Sequence, residues 1–402
     1  MEIRPVHRDP RARFLIGPMG WVRALLAYAI TAFAGEAAAQ VTEFPTTTAR
    51  NPFDIVAGPD GNLWFTAINS LDKLVGRITT TGVVTEFPIA DPTNTLATIG
   101  ITVGPDNALW FAENGTDRIG RITTAGILTE FPVPGLIGGL NGIAAGPDGN
   151  LWFTETGALA NRIARITTSG SVSGFPIPTG NSEPLWIVTG SDGNLWFTQS
   201  NANRIGRITT AGVVTEFPIP TANPGPFNGP GKIAAGPDGA LWFTHNGSNQ
   251  IGRITTAGVI TMFPIPSTNA GPAGIATGPD GALWFTESSS RNQLGRITTA
   301  GAITEFPLPA NPSGSGPEYI TTGPDGNLWL TDHGRPVIIR YSLAAQPTAT
   351  PTPTATTTPV TPTVTPPVGP GPASEIPTLS PALLVLLALL LAGAAIFLIR
   401  RL

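Results

Sequence analysis

Seven positions, each three residues after the tryptophan of a recurring Leu-Trp pair, read Ala67, Glu113, Glu155, Gln199, His245, Glu287 and Asp332. Carboxylate oxygens at a repeated position are donors of the kind that hold Mg²⁺ or Ca²⁺. Gathered in a circle they would form a cation-attracting ring; left apart they would be solvated polar ends of strands. A second repeated position reads Phe53, Ile99, Asn141, Leu185, Gly231, Ala273 and Glu318. Glu318, Asp332 and His333 fall in the last unit together. There a carboxylate could act as a base if desolvation raised its pKa, with the other groups holding a metal. His245, the other histidine among the repeats, reads more simply as a loop residue.

The elements that must carry these residues follow from the spacing. The tryptophans are Trp64, Trp110, Trp152, Trp196, Trp242, Trp284 and Trp329, at intervals of 42 to 46 residues. A period of this size, built from short β-branched runs broken by Gly and Pro, is that of a β-propeller and not of a helical repeat. One unit reads as strand A over Ile143–Gly146, a Gly-Pro-Asp-Gly turn, and strand B over Leu151–Thr154. A variable loop, strand C over Arg162–Thr167, a tight turn and strand D ending at Phe175-Pro176 complete it. Strands A, B and C occur seven times, but D follows only the first six. The missing copy is Val41-Thr42-Glu43-Phe44-Pro45, which matches Val214–Pro218 residue for residue. The expected fold is therefore all-β: a seven-bladed propeller of four-stranded antiparallel blades, closed by its N-terminal strand. Closure leaves no edge to pair, so the propeller is expected to be monomeric.

Alternation along the strands places the A–B and C–D turns at one end of the ring. The B–C and D–A loops lie at the other, and they differ from blade to blade, so an unidentified ligand is expected there. The seven tryptophans read as packing between blades. Arg77, Arg121, Arg165, Arg207, Arg253, Arg296 and Arg340 recur in strand C, and a residue required in every blade belongs to the scaffold.

Both ends of the chain read as addresses. An Arg-rich start, an apolar run from Ala24 to Ala34 and Ala37-Ala38-Ala39 mark residues 1–39 as a secretory signal, with an uncleaved anchor as the alternative. Residues 40–345 form the propeller. Residues 346–375 are rich in Pro and Thr and read as a spacer. In 376–402, Ala382 to Ile399 is uninterruptedly apolar, and as a helix it would cross a bilayer, with Arg400 and Arg401 on the cytoplasmic side. The expected location is extracytoplasmic, in the cell envelope and membrane-anchored through that helix. With no cysteine among 402 residues, disulfides and thiolate-bound metals are excluded. The net charge is −4 while both ends are net basic, so the body is acidic and repels nucleic acid.

Two resemblances add to this reading. Ile376-Pro377-Thr378-Leu379-Ser380 before the apolar segment resembles the Ile-Pro-Thr-Leu type of C-terminal sorting signal. That implies a Gram-negative-type envelope and a membrane-embedded sorting protease as partner; a plain anchor is the alternative. The repeated Gly-Pro-Asp-Gly, Leu-Trp-Phe-Thr-Glu, Ile-Gly-Arg-Ile-Thr-Thr and Thr-Glu-Phe-Pro-Ile-Pro resemble the streptogramin B lyases across the whole propeller. The resemblance implies a seven-bladed propeller and Mg²⁺-dependent opening of a cyclic depsipeptide lactone by elimination. It also implies Pro-His motifs at the start of the last two A strands. Here those stretches are Pro272-Ala273-Gly274-Ile275 and Pro317-Glu318-Tyr319-Ile320, so both histidines are absent. The acidic residue two before the last histidine falls on Gly316, and the metal-binding glutamate on Asp332 or His333. A binding module without the family's catalysis is the expected function, and a metal-dependent lyase or hydrolase the alternative.

Overall fold

The computed structural model describes residues 41–46, 51–68, 73–89, 98–135, 139–157, 160–221, 228–289, 292–311, 316–332 and 334–343. The signal, spacer, sorting motif and apolar tail lie outside the described residues, as does His333. Among the described residues no helix is long and apolar enough to cross a membrane.

The described residues form seven four-stranded antiparallel sheets, each running A to D in chain order except the last. In that sheet the order is Val41–Pro45, Val337–Tyr341, Leu328–Asp332, Pro317–Thr322, so the first strand of the chain is the outer strand of blade seven. The register runs from Val41 against Tyr341 to Pro45 against Val337. Ring closure is as the strand count predicts.

Blade three shows how the sequence makes a unit. Its strands are Leu140–Ala145, Leu151–Glu155, Arg162–Ile166 and Val172–Pro176. Strand A begins three residues earlier than the apolar pattern suggests, because a bulge lies between Leu140 and Ile143. Two residues of strand A there oppose one of strand B, and every blade has the same irregularity. A bulge of this kind bends the strand and re-aims side chains that regular pleating would alternate. In this ring it faces the axis.

Between blades the packing is apolar and repeated. Trp152 of strand B is fully buried among Ile163, Ile177, Ile187 and Phe197, the last two belonging to the next blade. Its indole Nε1 donates to Asp148 of the Gly-Pro-Asp-Gly turn at 3.0 Å, its ring stacks on Phe175 at 5.3 Å, and Arg165 lies over it at 5.4 Å. Arg165 also donates to Thr210 O of the following blade. Burying the indole contributes roughly 2–3 kcal/mol, against about 0.5–1 for the exposed edge of a cation–π contact, so packing dominates and the arginine fastens it. Tryptophan and arginine are both scaffold, as expected.

The same arrangement explains the glycine of the C–D turn. Gly82 has φ of 95°, and a Cβ there would meet the Phe44 ring at 2.2 Å. Phe44 in turn stacks on Trp329 at 5.5 Å. The closing strand is thus clamped by its own blade and by blade one. Phe44→Ala should destabilise the propeller by about 2 kcal/mol, below the range for a wholly buried aromatic because this ring is half-buried. Urea unfolding followed by tryptophan fluorescence measures it; an unchanged midpoint would mean that the closing strand contributes nothing.

Candidate functional site

The end of strand B is not where the metal expectation requires it. Glu113, Glu155, Gln199, His245, Glu287 and Asp332 are all fully buried, and Ala67 is 2% exposed. Strand alternation puts each on the face of its preceding phenylalanine or leucine, which packs against the previous blade. They therefore point into seven separate seams. Among the described residues no three His, Asp or Glu side chains converge to hold a metal ion. Neither a cation ring nor a set of solvated strand ends results.

Each seam meets the buried polar group in its own way. Glu155 accepts from Arg162 Nε at 2.7 Å. Glu113 accepts from Thr116 Oγ1 at 3.0 Å, and burial, then the nearby charge of Glu130, push its carboxyl up to about 7. His245 places Nε2 2.8 Å from Asn203 Oδ1 of the preceding blade and Nδ1 2.9 Å from Ser248 Oγ. It is a seam residue and not a loop residue, and burial lowers its pKa to about 4.

The second repeated position behaves differently. Phe53, Ile99, Asn141, Leu185, Gly231, Ala273 and Glu318 are the first residues of the seven bulges and are all partly exposed. The residue after each is Asp54, Gly100, Gly142, Trp186, Lys232, Gly274 or Tyr319, a set the repeat pattern hides. A threonine of strand B ties them together. Thr331 Oγ1 accepts from Tyr319 N at 3.1 Å and donates to Phe53 O of blade one at 2.6 Å. Thr66, Thr154, Thr244 and Thr286 likewise donate to the bulge of the next blade. Three of the second residues must be glycine because the chain approaches closely: a Cβ on Gly274 would lie 2.7 Å from Glu318 O.

The four large ones meet on the axis. Lys232 Nζ is 2.7 Å from Asp54 Oδ1 and 3.4 Å from the centre of the Trp186 ring, with Tyr319 at 4.9 Å. Trp186 and Tyr319 are 5.0 Å apart, and Phe53 is edge-on to Tyr319 at 4.8 Å. Asp54 Oδ2 accepts from Ile101 N. This ion pair joins blades one and five across the centre. Trp186 was the available signal in the sequence, since it is a tryptophan outside the repeat.

Against this plug lies a pocket of about 160 Å³ at the end with the varied loops. Trp186, Lys232, Ala273, Glu318 and Tyr319 line it, with Ser200 and Ser288 at the starts of two B–C loops. The positions where the resemblance implies histidines, Ala273 and Glu318, thus both face one pocket. Burial, then the charge of Asp332, push the Glu318 carboxyl up to about 7. Among the described residues it has no hydrogen-bond or ion-pair partner.

The residues present do not fit Mg²⁺. Asp332 accepts from Arg335 Nε at 2.8 Å, Gly334 N at 2.9 Å and Asn311 Nδ2 at 3.0 Å, so a guanidinium already supplies the positive charge. Ala273 brings no donor. Gly316 brings none either, and a Cβ there would sit 2.9 Å from Ser288 Cα. Of the candidate metal residues, Glu113, Glu155 and Glu287 belong to other seams.

The virginiamycin B lyase family model matches residues 21–228 and 227–367. A streptogramin B lyase structure is 36% identical, covering 75% of this chain and 96% of its own, with a TM-score of 0.67. A catalytically inactive histidine-to-alanine variant of virginiamycin B lyase from Staphylococcus aureus, solved with quinupristin, is 37% identical. It covers 76% of this chain and 99% of its own at a TM-score of 0.69. Hydrazine synthase from Kuenenia stuttgartiensis, 18% identical at a TM-score of 0.59, shares the fold. No curated protein matches.

The buried imidazole gives a pH test. His245 is neutral when folded, whereas the unfolded chain takes up a proton below 6.5. Its contribution is full above 6.5 and is lost as pH falls toward 4. His245→Gln should therefore lose less stability than the native protein between those values, by roughly 3 kcal/mol at about 1.4 kcal/mol per pH unit. Denaturant midpoints at several pH values measure the difference; parallel profiles would contradict it.

Proposed function

Because the chain belongs to the virginiamycin B lyase family, we propose that it is an exported propeller that binds its ligand without the family's elimination chemistry. The binding place is the pocket shared by blades four to seven. The observation that carries this reading is the pair Ala273 and Glu318, which face that pocket where the resemblance implies histidines. In the relative from Staphylococcus aureus, one histidine-to-alanine change gives an inactive protein that was still solved with quinupristin. This chain lacks both histidines, and its described residues offer no set of Mg²⁺ donors. A cyclic depsipeptide of the streptogramin B type is the first ligand to test.

The signal-like N-terminus, the Pro/Thr spacer and the Ile-Pro-Thr-Leu tail support an extracytoplasmic place in the envelope. Both Val41 and Tyr341 lie at the end of the ring that carries the short, near-identical turns.

One observation favours a second reading. A carboxyl held near 7 by burial is matched to abstracting a proton near neutrality. Glu318 would then take a proton from the carbon next to the one that bears the ring oxygen; a C=C bond forms between those two carbons as the carboxylate leaves with the C–O bonding electrons, opening the lactone. On the binding reading, quinupristin incubated with the purified full-length chain, with and without Mg²⁺, is recovered intact while calorimetry registers binding. Chromatographic retention and fragment masses distinguish intact from linear product, since elimination leaves the mass unchanged and hydrolysis adds water. Ring opening that disappears in Glu318→Gln would replace the binding reading with the second.

A further inference from the structure

The charges around the pocket do not cancel. Lys232 is paired with Asp54 at 2.7 Å, and Asp332 with Arg335 at 2.8 Å, a guanidinium that Glu43 shares at 2.9 Å. Glu318 remains, a carboxyl lining the pocket with no counter-ion among the described residues. Beside it stand the rings of Trp186 and Tyr319, each 7% exposed. Aromatic faces carry a negative quadrupole and attract ammonium groups, most strongly where water is displaced. The molecule already displays that attraction, since Lys232 Nζ sits 3.4 Å from the Trp186 centroid.

We propose that the pocket selects ligands carrying an ammonium group, which Glu318 pairs and Trp186 and Tyr319 flank. This deepens the reading of the pocket as a ligand site and rests on it. The physical reason is compensation. A half-buried carboxylate without a partner has lost part of its hydration, and a ligand cation restores the lost interaction with a charge-assisted hydrogen bond. An anion would meet like charge at Glu318, and the ammonium of Lys232 is already committed to Asp54. A neutral ligand would pack on the rings yet leave the carboxyl unmet. At about 160 Å³ the cavity has room for a small alkylammonium head and excludes a whole cyclic peptide, so only a side group of a larger ligand enters.

The test uses three compounds of one size, n-butylammonium, 1-butanol and butyrate, titrated into the purified full-length chain. The indole N–H resonance of Trp186, assigned with Trp186→Phe, reports occupancy. n-Butylammonium should shift it at concentrations at least tenfold below those needed for either congener, a difference in line with a hydrogen bond to a charged group. Glu318→Gln should remove that preference, so that n-butylammonium and 1-butanol shift the resonance over the same concentration range. Equal responses to the ammonium and the alcohol would overturn the proposal without recourse to a variant, as would an undiminished ammonium response in Glu318→Gln. Quinupristin binding on the same sample separates the two claims. If quinupristin binds and n-butylammonium does not, the cation assignment falls and the pocket stands. If n-butylammonium binds and quinupristin does not, cation recognition stands and streptogramin recognition falls.

Discussion

Each blade has two apolar faces and must cover both on its neighbours, and that requirement governs nearly every repeated residue. The indole on strand B fills the seam, the aspartate of the A–B turn takes its N–H, and the phenylalanine of strand D lies against its ring. The glycine of the next blade's turn then leaves space for that phenylalanine. Apolar burial provides most of the free energy, while the polar contacts fix which face the indole presents. A ring in which all seven seams must be filled cannot be left open at one. The strand from Val41 to Pro45 is needed because Trp329 would otherwise lack Phe44.

Toward the axis the constraint changes. The sheets converge, so backbone approaches backbone, and the bulge in strand A with its threonine tie carries hydrogen bonds from blade to blade. Residues at the bulge answer to space and charge in the centre, although Trp186 and Tyr319 still pack with the apolar seam between blades four and five. Three blades use glycine there, and the volume they leave is filled by Asp54, Trp186, Lys232 and Tyr319 from the other four. A sevenfold scaffold thereby acquires an asymmetric centre, with the pocket beside its most aromatic part. The fold of the family is kept, while the two positions where the resemblance implies histidines carry a methyl and a carboxyl.

The axial ion pair illustrates how little of this depends on position in the sequence. Asp54 and Lys232 come from blades one and five, yet they approach to 2.7 Å. A buried pair of this kind is weak evidence for stability, since desolvation offsets attraction. Its consequence here is electrostatic: it cancels the lysine at the pocket and leaves Glu318 to set the sign of the site.

Taken alone, the sequence determined the all-β class, the number of blades, the two ends of the ring and the closing strand from Val41. These follow from local pattern, because each repeat carries its own turn glycines, alternation and tryptophan. It also singled out Glu318 and Ala273, as members of a second repeated position and as the places where the resemblance implies histidines. The supposed acidic ring was misplaced, because the repeat fixes where a residue lies along strand B but not which seam its side chain enters. The axial cluster could not be read at all: four residues of different type, one from each of four blades, meet only because the ring closes. Which charges cancel there is decided by distances across the centre, and no spacing along the chain encodes those distances.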